Sequence, residues 1–384
     1  MRKFIKLLKN PKKFFLDSLW FKSHEFNIME TYDHVFIVSH LGQLTQVEAF
    51  IKSKNINNTL LIILYTNRNR RIPKAIHNTA NRHLINKIIF FQLPNYPNNY
   101  SIKSLLFMKR NYKKLLEEAN PRKLYLLSFE NHYSLLANIA KDKKIHISLL
   151  EEGTATYKNQ ELSEYNQSQL FIKNLLAKIL GVYSAYNVFK NFNTIYAAFP
   201  KLLKEKFNAD KYHYFFAYEH IELNNQIQYL IDKYNITNQD YIYVNQRYNI
   251  DAHEFVSIIL NILSKINYKV NANIFIKLHP KDSNLLKDIF KKELEKYQQL
   301  ILIDDNEFSI ELIIKRIKPR GIIGISSTTL VYTPLISNKT KSYTIKTLLV
   351  NSLLHKNKYH KTIKLIEQHY KVLKQFKHIK ELSN

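Results

Sequence analysis

The stretch Ile145-His146-Ile147-Ser148-Leu149-Leu150-Glu151-Glu152-Gly153-Thr154 runs from a short, mostly apolar segment straight into two carboxylates and a glycine. A run of this length is a strand, and one apolar at almost every position is buried on both faces, as in a parallel sheet. The same texture recurs upstream at 34–39, 60–65, 87–92 and 123–128, and downstream at 241–244, 274–278, 300–303 and 321–325. Helix-length stretches separate most of these runs, so the chain reads as strands alternating with crossover helices. The Lys- and Asn-rich residues 170–210 divide the two series, and the junction is expected around 199–212, after Phe199-Pro200.

The composition agrees with two domains and narrows the partners. The chain has 384 residues, and domains average roughly 150 residues. Hydrophobic residues make up 45% and aromatics 13%, which excludes wholesale disorder. The absence of cysteine excludes a disulfide scaffold, a thiolate metal site and a Cys nucleophile. Five glycines are too few for repeated Gly-rich phosphate loops. Lys and Arg total 58 against 31 Asp and Glu, a net charge of +27, which points to a polyanionic partner: nucleic acid, an anionic membrane or an acidic polymer. No run of 18 apolar residues is present, so no transmembrane helix is expected. Lys6, Lys9, Lys12, Lys13 and Asp17 interrupt any signal-peptide core.

The expected organisation has four parts. Residues 1–25 form a basic amphipathic segment broken at Asn10-Pro11, suited to an anionic membrane surface or to packing on the body. Residues 26–205 and 206–360 form two α/β domains, and 361–384 form a helical tail packing back on the body. Two Rossmann-type doubly wound domains facing across a cleft are the GT-B organisation. Ligands in such sheets bind beyond the C-terminal ends of the strands, so residues that follow strands carry the chemistry.

Three constellations stand at such ends. Glu151-Glu152-Gly153 follows the fifth run. Adjacent carboxylates raise one pKa, which suits a general base, although a strand-end acidic pair also serves as a turn or helix cap, or pairs with Lys141-Asp142-Lys143-Lys144. In Lys277-Leu278-His279-Pro280-Lys281 the proline stiffens the backbone presenting His279, and two lysines make the place positive. The competing reading is a His satisfied by local backbone. In Ser326-Ser327-Thr328-Thr329 hydroxyls open a helix-like segment, which binds phosphate or simply caps the helix. Gly42 and Gln43 after the first strand, and Arg247 after 241–244, are candidate acceptor or cleft residues. There is no Asp-x-Asp pair, no Walker loop, no Gly-x-Gly-x-x-Gly, no His-Glu-x-x-His and no zinc spacing, so no metal site is expected.

The words around these motifs carry a resemblance. The quoted constellations lie beside Asn10-Pro11, Phe14-Phe15-Leu16-Asp17-Ser18-Leu19-Trp20, His40-Leu41-Gly42-Gln43-Leu44, Thr154-Ala155-Thr156-Tyr157-Lys158, Lys206-Phe207-Asn208-Ala209, Tyr243-Val244-Asn245-Gln246-Arg247-Tyr248 and Leu330-Val331-Tyr332-Thr333-Pro334-Leu335. Together they resemble the bacterial capsular polysialyltransferases over nearly the whole chain. Ala155 stands where the family often has Gly.

The resemblance implies a GT-B enzyme that transfers sialic acid from CMP-sialic acid to the non-reducing end of an oligo- or polysialic acid chain. It implies an inverting single displacement without metal or other cofactor, in capsule biosynthesis. Glu151 or Glu152 then supplies the base, and His279 stabilises the departing phosphate. Ser326, Ser327, Thr328, Lys277 and Pro280 bind CMP, with Glu307, Asp304, Asp305 or Glu311 on the ribose. The implied partners are the acceptor, the anionic inner face of the inner membrane, where the protein is peripherally bound on the cytoplasmic side, and capsule synthesis and export proteins. The nearest rival is a sialyltransferase adding one terminal residue to lipooligosaccharide. A rival of another class is a non-enzymatic nucleic-acid- or membrane-binding protein, which leaves the three strand-end motifs without a role. The linkage, α2,8, α2,9 or alternating, is not encoded in these words.

Overall fold

The computed structural model describes residues 26–66, 71–95, 101–158, 174–223, 225–279, 282–305 and 308–382. The basic segment 1–25, Pro280 and Glu307 lie outside the described residues. The chain divides into two compact units, one drawn from Met1–Glu152 and Asn159–His220, the other from Gly153–Lys158 and Ile221–Asn384.

The first unit holds one sheet of seven strands: β1 (His34–Val38), β2 (Thr59–Thr66), β3 (Lys87–Leu93), β4 (Lys123–Leu126), β5 (His146–Leu150), β6 (Asn191–Ala197) and β7 (Asn208–Tyr214). Their order is β3-β2-β1-β4-β5-β6-β7, and every pair is parallel. Val35–Val38 and Leu60–Ile63 are buried throughout, as double-sided cover by crossover helices requires. The strand order reverses between β1 and β4, which puts the switch point at the C-terminal ends of those strands.

The second unit repeats the plan with β8 (Tyr241–Val244), β9 (Ile274–Lys277), β10 (Leu300–Ile303), β11 (Gly321–Gly324), β12 (Lys341–Thr344) and β13 (Ile379–Glu381). The order is β10-β9-β8-β11-β12-β13, again all parallel, with the switch point between β8 and β11. Its core packs Tyr243, Ile276 and Ile323 of the sheet against Ile259 and Leu263 of the helix Ala252–Val270 and Phe290 of the helix Asn284–Leu294.

Asparagine does here what glycine commonly does at helix ends. Asn55, Asn120 and Asn271 end the helices Leu41–Lys54, Ile102–Ala119 and Ala252–Val270 in the left-handed region, at φ of 49°, 41° and 45°. Asn tolerates this conformation better than other side chains, which fits a chain with five glycines.

The sequence-based organisation needs three corrections. The first unit extends to His220, not 205, because β7 pairs with β6 in the first sheet. Its sequence, Asn-Ala-Asp-Lys-Tyr-His-Tyr, lacks the apolar run of a central strand because it lies on the sheet edge. Residues 153–158, expected within the first domain, belong to the second unit. The C-terminal segment is not wholly helical: the helix His360–Leu373 gives way to β13, which pairs with β12.

Candidate functional site

Each unit carries a polar constellation at the C-terminal edge of its sheet. In the first unit, β5 delivers Glu151 and Glu152 one after the other, and their surroundings separate them. Glu151 is 4% exposed. Its Oε2 accepts the Ala198 backbone N–H at 2.5 Å, just beyond β6, and its own N–H donates to the Tyr196 carbonyl at 2.9 Å. Glu152 keeps 26% of its side chain exposed, and its Oε1 lies 2.6 Å from His40 Nε2.

His40 comes from the end of β1. It is the N-cap of the helix Leu41–Lys54, with Nδ1 accepting the Gln43 N–H at 3.4 Å. Gln43 is buried, and its Oε1 accepts from the Ser39 N–H at 2.6 Å and the Ser39 hydroxyl at 3.1 Å. The Tyr133 hydroxyl joins the Ser39 and Gln43 side chains, and burial pushes its pKa up. A Cβ on Gly42 would meet His40 Nδ1 at 3.3 Å, so this glycine gives room to the imidazole. Gly42 is exposed, whereas the Gln43 side chain is turned inward to brace the end of β1 rather than outward toward an acceptor. Lys143 pairs with Glu117 at 2.9 Å, away from the acidic pair.

In the second unit the switch point brings the residues after β8 against those after β11. Ser326 is buried; its N–H and Oγ both donate to Gln246 Oε1, at 2.5 and 2.8 Å, and its Oγ lies 2.6 Å from the Tyr248 hydroxyl. Tyr248 also meets His369 Nδ1 at 3.1 Å. Burial, with Lys158 nearby, pushes the His369 pKa down to about 4, so this imidazole is neutral at pH 7. Ser327 caps the helix Thr328–Ile336, accepting the Thr329 N–H at 3.3 Å. Thr328 Oγ1 lies 3.0 Å from Thr154 Oγ1, and Gly153 sits beside it at φ 149°, a conformation that favours glycine. A cavity of about 130 Å³ opens beside Ser326, lined by Thr154, Ala155, Lys158, Gln246, His369 and Val372.

His279 is half-buried at the turn after β9. Its N–H donates to Asp282 Oδ2 at 2.8 Å, and the same oxygen accepts Asn245 Nδ2 at 2.7 Å. Asp282 therefore sets the turn that presents the imidazole. Lys277, 4% exposed, donates to the Leu278 carbonyl at 3.0 Å and lies 4.8 Å from the centre of the Phe308 ring. Burial lowers its pKa to about 8, with Glu311 and Asp282 opposing the shift.

Of the acidic candidates for the ribose, Asp304 pairs with Lys287 and Lys291, and Asp305 with Lys233 and the Tyr234 hydroxyl. Glu311 is buried and accepts from Ser309 at 2.6 Å and Thr329 at 2.7 Å. Arg247 is exposed after β8. Among the described residues no group of three or more His, Asp or Glu side chains converges as a metal site.

Sequence reasoning missed Asp282 and His369 as site residues. His40, Gln246 and Tyr248 carried a signal, since they follow β1 and β8 beside Gly42, Gln43 and Arg247, but were given no role of their own.

Two parallel Rossmann-type sheets, each with polar residues gathered beyond its strand ends, are a GT-B fold. The fold is similar to UDP-GlcNAc 2-epimerase from Methanocaldococcus jannaschii (TM-score 0.52, 14% identity, covering 89% of this chain and 92% of that one). It is also similar to UDP-GlcNAc 2-epimerase from Neisseria meningitidis bound to UDP-GlcNAc (TM-score 0.50, 12% identity, 89% and 98%). A third similar structure is a ugt transferase from Siraitia grosvenorii in complex with UDP (TM-score 0.50, 10% identity, 89% and 90%). No curated protein matches the chain in sequence. The chain belongs to the alpha-2,8-polysialyltransferase family, whose model matches residues 34–346.

Proposed function

We propose that the protein transfers sialic acid from CMP-sialic acid to the non-reducing end of oligo- or polysialic acid, forming α2,8 bonds by an inverting displacement that needs no metal. The observation that carries this reading is the division of strand-end chemistry in a chain of this family: a carboxylate held by an imidazole on one unit, and hydroxyls at a helix start with a strand-end imidazole on the other.

Glu152 is the better base of the acidic pair. It is partly exposed, whereas Glu151 is buried with one oxygen committed to the Ala198 amide. In the proposed step the acceptor hydroxyl gives its proton to Glu152 and its oxygen attacks C2 of the donor. The C2–O bond to the phosphate breaks with inversion, and CMP departs with the bonding pair. His279, Ser326, Ser327 and the N-terminus of the helix Thr328–Ile336 stabilise the charge growing on the phosphate. Lys277, Thr328 and Pro280 complete the donor site, and Glu307 takes the ribose diol. Gly42 and Arg247 border the acceptor. The product is capsular polysaccharide, made at the cytoplasmic face of the inner membrane beside capsule synthesis and export proteins. The net charge of +27 and the basic residues 1–25 support that surface. No helix among the described residues is long and apolar enough to cross a membrane.

The test is CMP release from CMP-sialic acid with an oligosialic acceptor. Glu152→Gln and His279→Ala lower kcat by about 10²–10⁴-fold, the usual range for a lost general acid or base. Activity in excess EDTA equals that without it. Full activity in Glu152→Gln sinks the base assignment.

A further inference from the structure

We propose that His40 is the positioning residue for Glu152, holding its carboxylate aimed through an Nε2–H···Oε1 hydrogen bond. The inference rests on the sialyl-transfer reading of Glu152. It begins at the helix Leu41–Lys54, whose first N–H groups lack partners within the helix. The Gln43 N–H is shared between the His40 carbonyl at 3.1 Å and His40 Nδ1 at 3.4 Å. A nitrogen that accepts carries no proton, so the neutral ring bears its proton on Nε2. That nitrogen stands 2.6 Å from Glu152 Oε1, the distance of a short charge-assisted bond. The helix start thereby fixes the tautomer, and the tautomer supplies the donor.

The ring is locked from the other sides as well. Gly42 leaves it the space that a Cβ would fill, and Gln43 ties the helix start to Ser39 at the end of β1. β4 lies between β1 and β5 in the sheet, so the two ends are held on one edge by a rigid element.

Two substitutions separate this role from simple capping. Asn reaches only as far as Nδ1 and is a good N-cap, so H40N keeps the bond to Gln43 and loses the one to Glu152. Gln reaches as far as Nε2, so H40Q restores a donor to Glu152. We expect H40N to lower kcat by about 100-fold, the scale of a misplaced group, with the donor KM within twofold and Tm unchanged. H40Q recovers at least tenfold of that loss. In a Glu152→Gln background H40N causes no further loss. Wild-type kcat in H40N overturns the proposal. A second readout needs no donor: ¹⁵N NMR of histidine-labelled protein, with the His40 signals identified by their loss in H40N, finds the proton on Nε2. A proton on Nδ1 overturns the proposal. If the wild type itself releases no CMP, the sialyl-transfer reading fails instead, and the NMR result still decides the contact.

Discussion

Lys277 is a cation placed where cations are expensive, buried at the end of β9 with its ammonium on the Leu278 carbonyl and above Phe308. Its pKa falls from 10.5 to about 8, with burial the main cause. Between those values the unfolded chain keeps a proton that the folded chain has lost. Stability therefore rises as pH climbs through this window, and below about 8 the buried charge is a cost. Activity runs the other way where the ammonium offsets donor phosphate: kcat/KM falls as pH rises past about 8. Denaturant unfolding and kinetics in the same buffers between roughly pH 7 and 10 check both signs. A stability that falls through the window contradicts the burial account, and a flat kcat/KM contradicts the phosphate role. The residue scale also shows what spacing cannot encode. Glu151 and Glu152 are chemically equal in the sequence, and the Ala198 amide and His40, 112 positions from Glu152, help make them different.

At the scale of elements, the short segment after β5 depends on close packing. Gly153 has φ 149°, and a Cβ there would lie 3.3 Å from Thr328 Cγ2. Tyr157, three residues past Thr154, is fully buried against Phe376, with ring centres 5.4 Å apart. Gly153→Ala should destabilise by about 1–3 kcal/mol through backbone strain, read as a lower midpoint in urea unfolding. An unchanged midpoint would mean that the segment relaxes freely.

The same scale explains which strands were legible. β2, β5 and β9 are apolar at most positions because helices cover both faces. β7 is mostly exposed, and β12 and β13 span only Lys341–Thr344 and Ile379–Glu381 with polar residues interspersed, so none has a readable hydrophobic period. The strand-end motifs were legible because each follows a readable strand. The meeting of Gln246, Tyr248 and His369 at Ser326 was not, since the adjacency of β8 and β11 and the return of the helix His360–Leu373 bring them together.

For the whole molecule the governing quantity is the charge of +27. A sialic acid polymer carries one carboxylate per residue, so a long acceptor gains more from a cationic surface than a short one. Salt screens that gain, with a Debye length of about 30 Å at 0.01 M falling to about 8 Å at 0.15 M. KM for long acceptors should therefore rise over this range more steeply than KM for a trimer. Equal salt dependence for the two would contradict an electrostatic acceptor surface and leave the lysines as solvating residues. Membership of the alpha-2,8-polysialyltransferase family makes a glycan acceptor the partner to test against this charge.

The central claim is repeated transfer of sialic acid from a CMP donor. The most direct test is to incubate the protein with CMP-sialic acid and a fluorescent oligosialic acceptor, then count CMP released against residues added by chromatography and mass spectrometry. The account predicts a ladder of products rising by single sialic acid units, with one CMP per unit and α2,8 linkages in the product NMR spectrum. A single addition that never extends, or no CMP release at all, would contradict it.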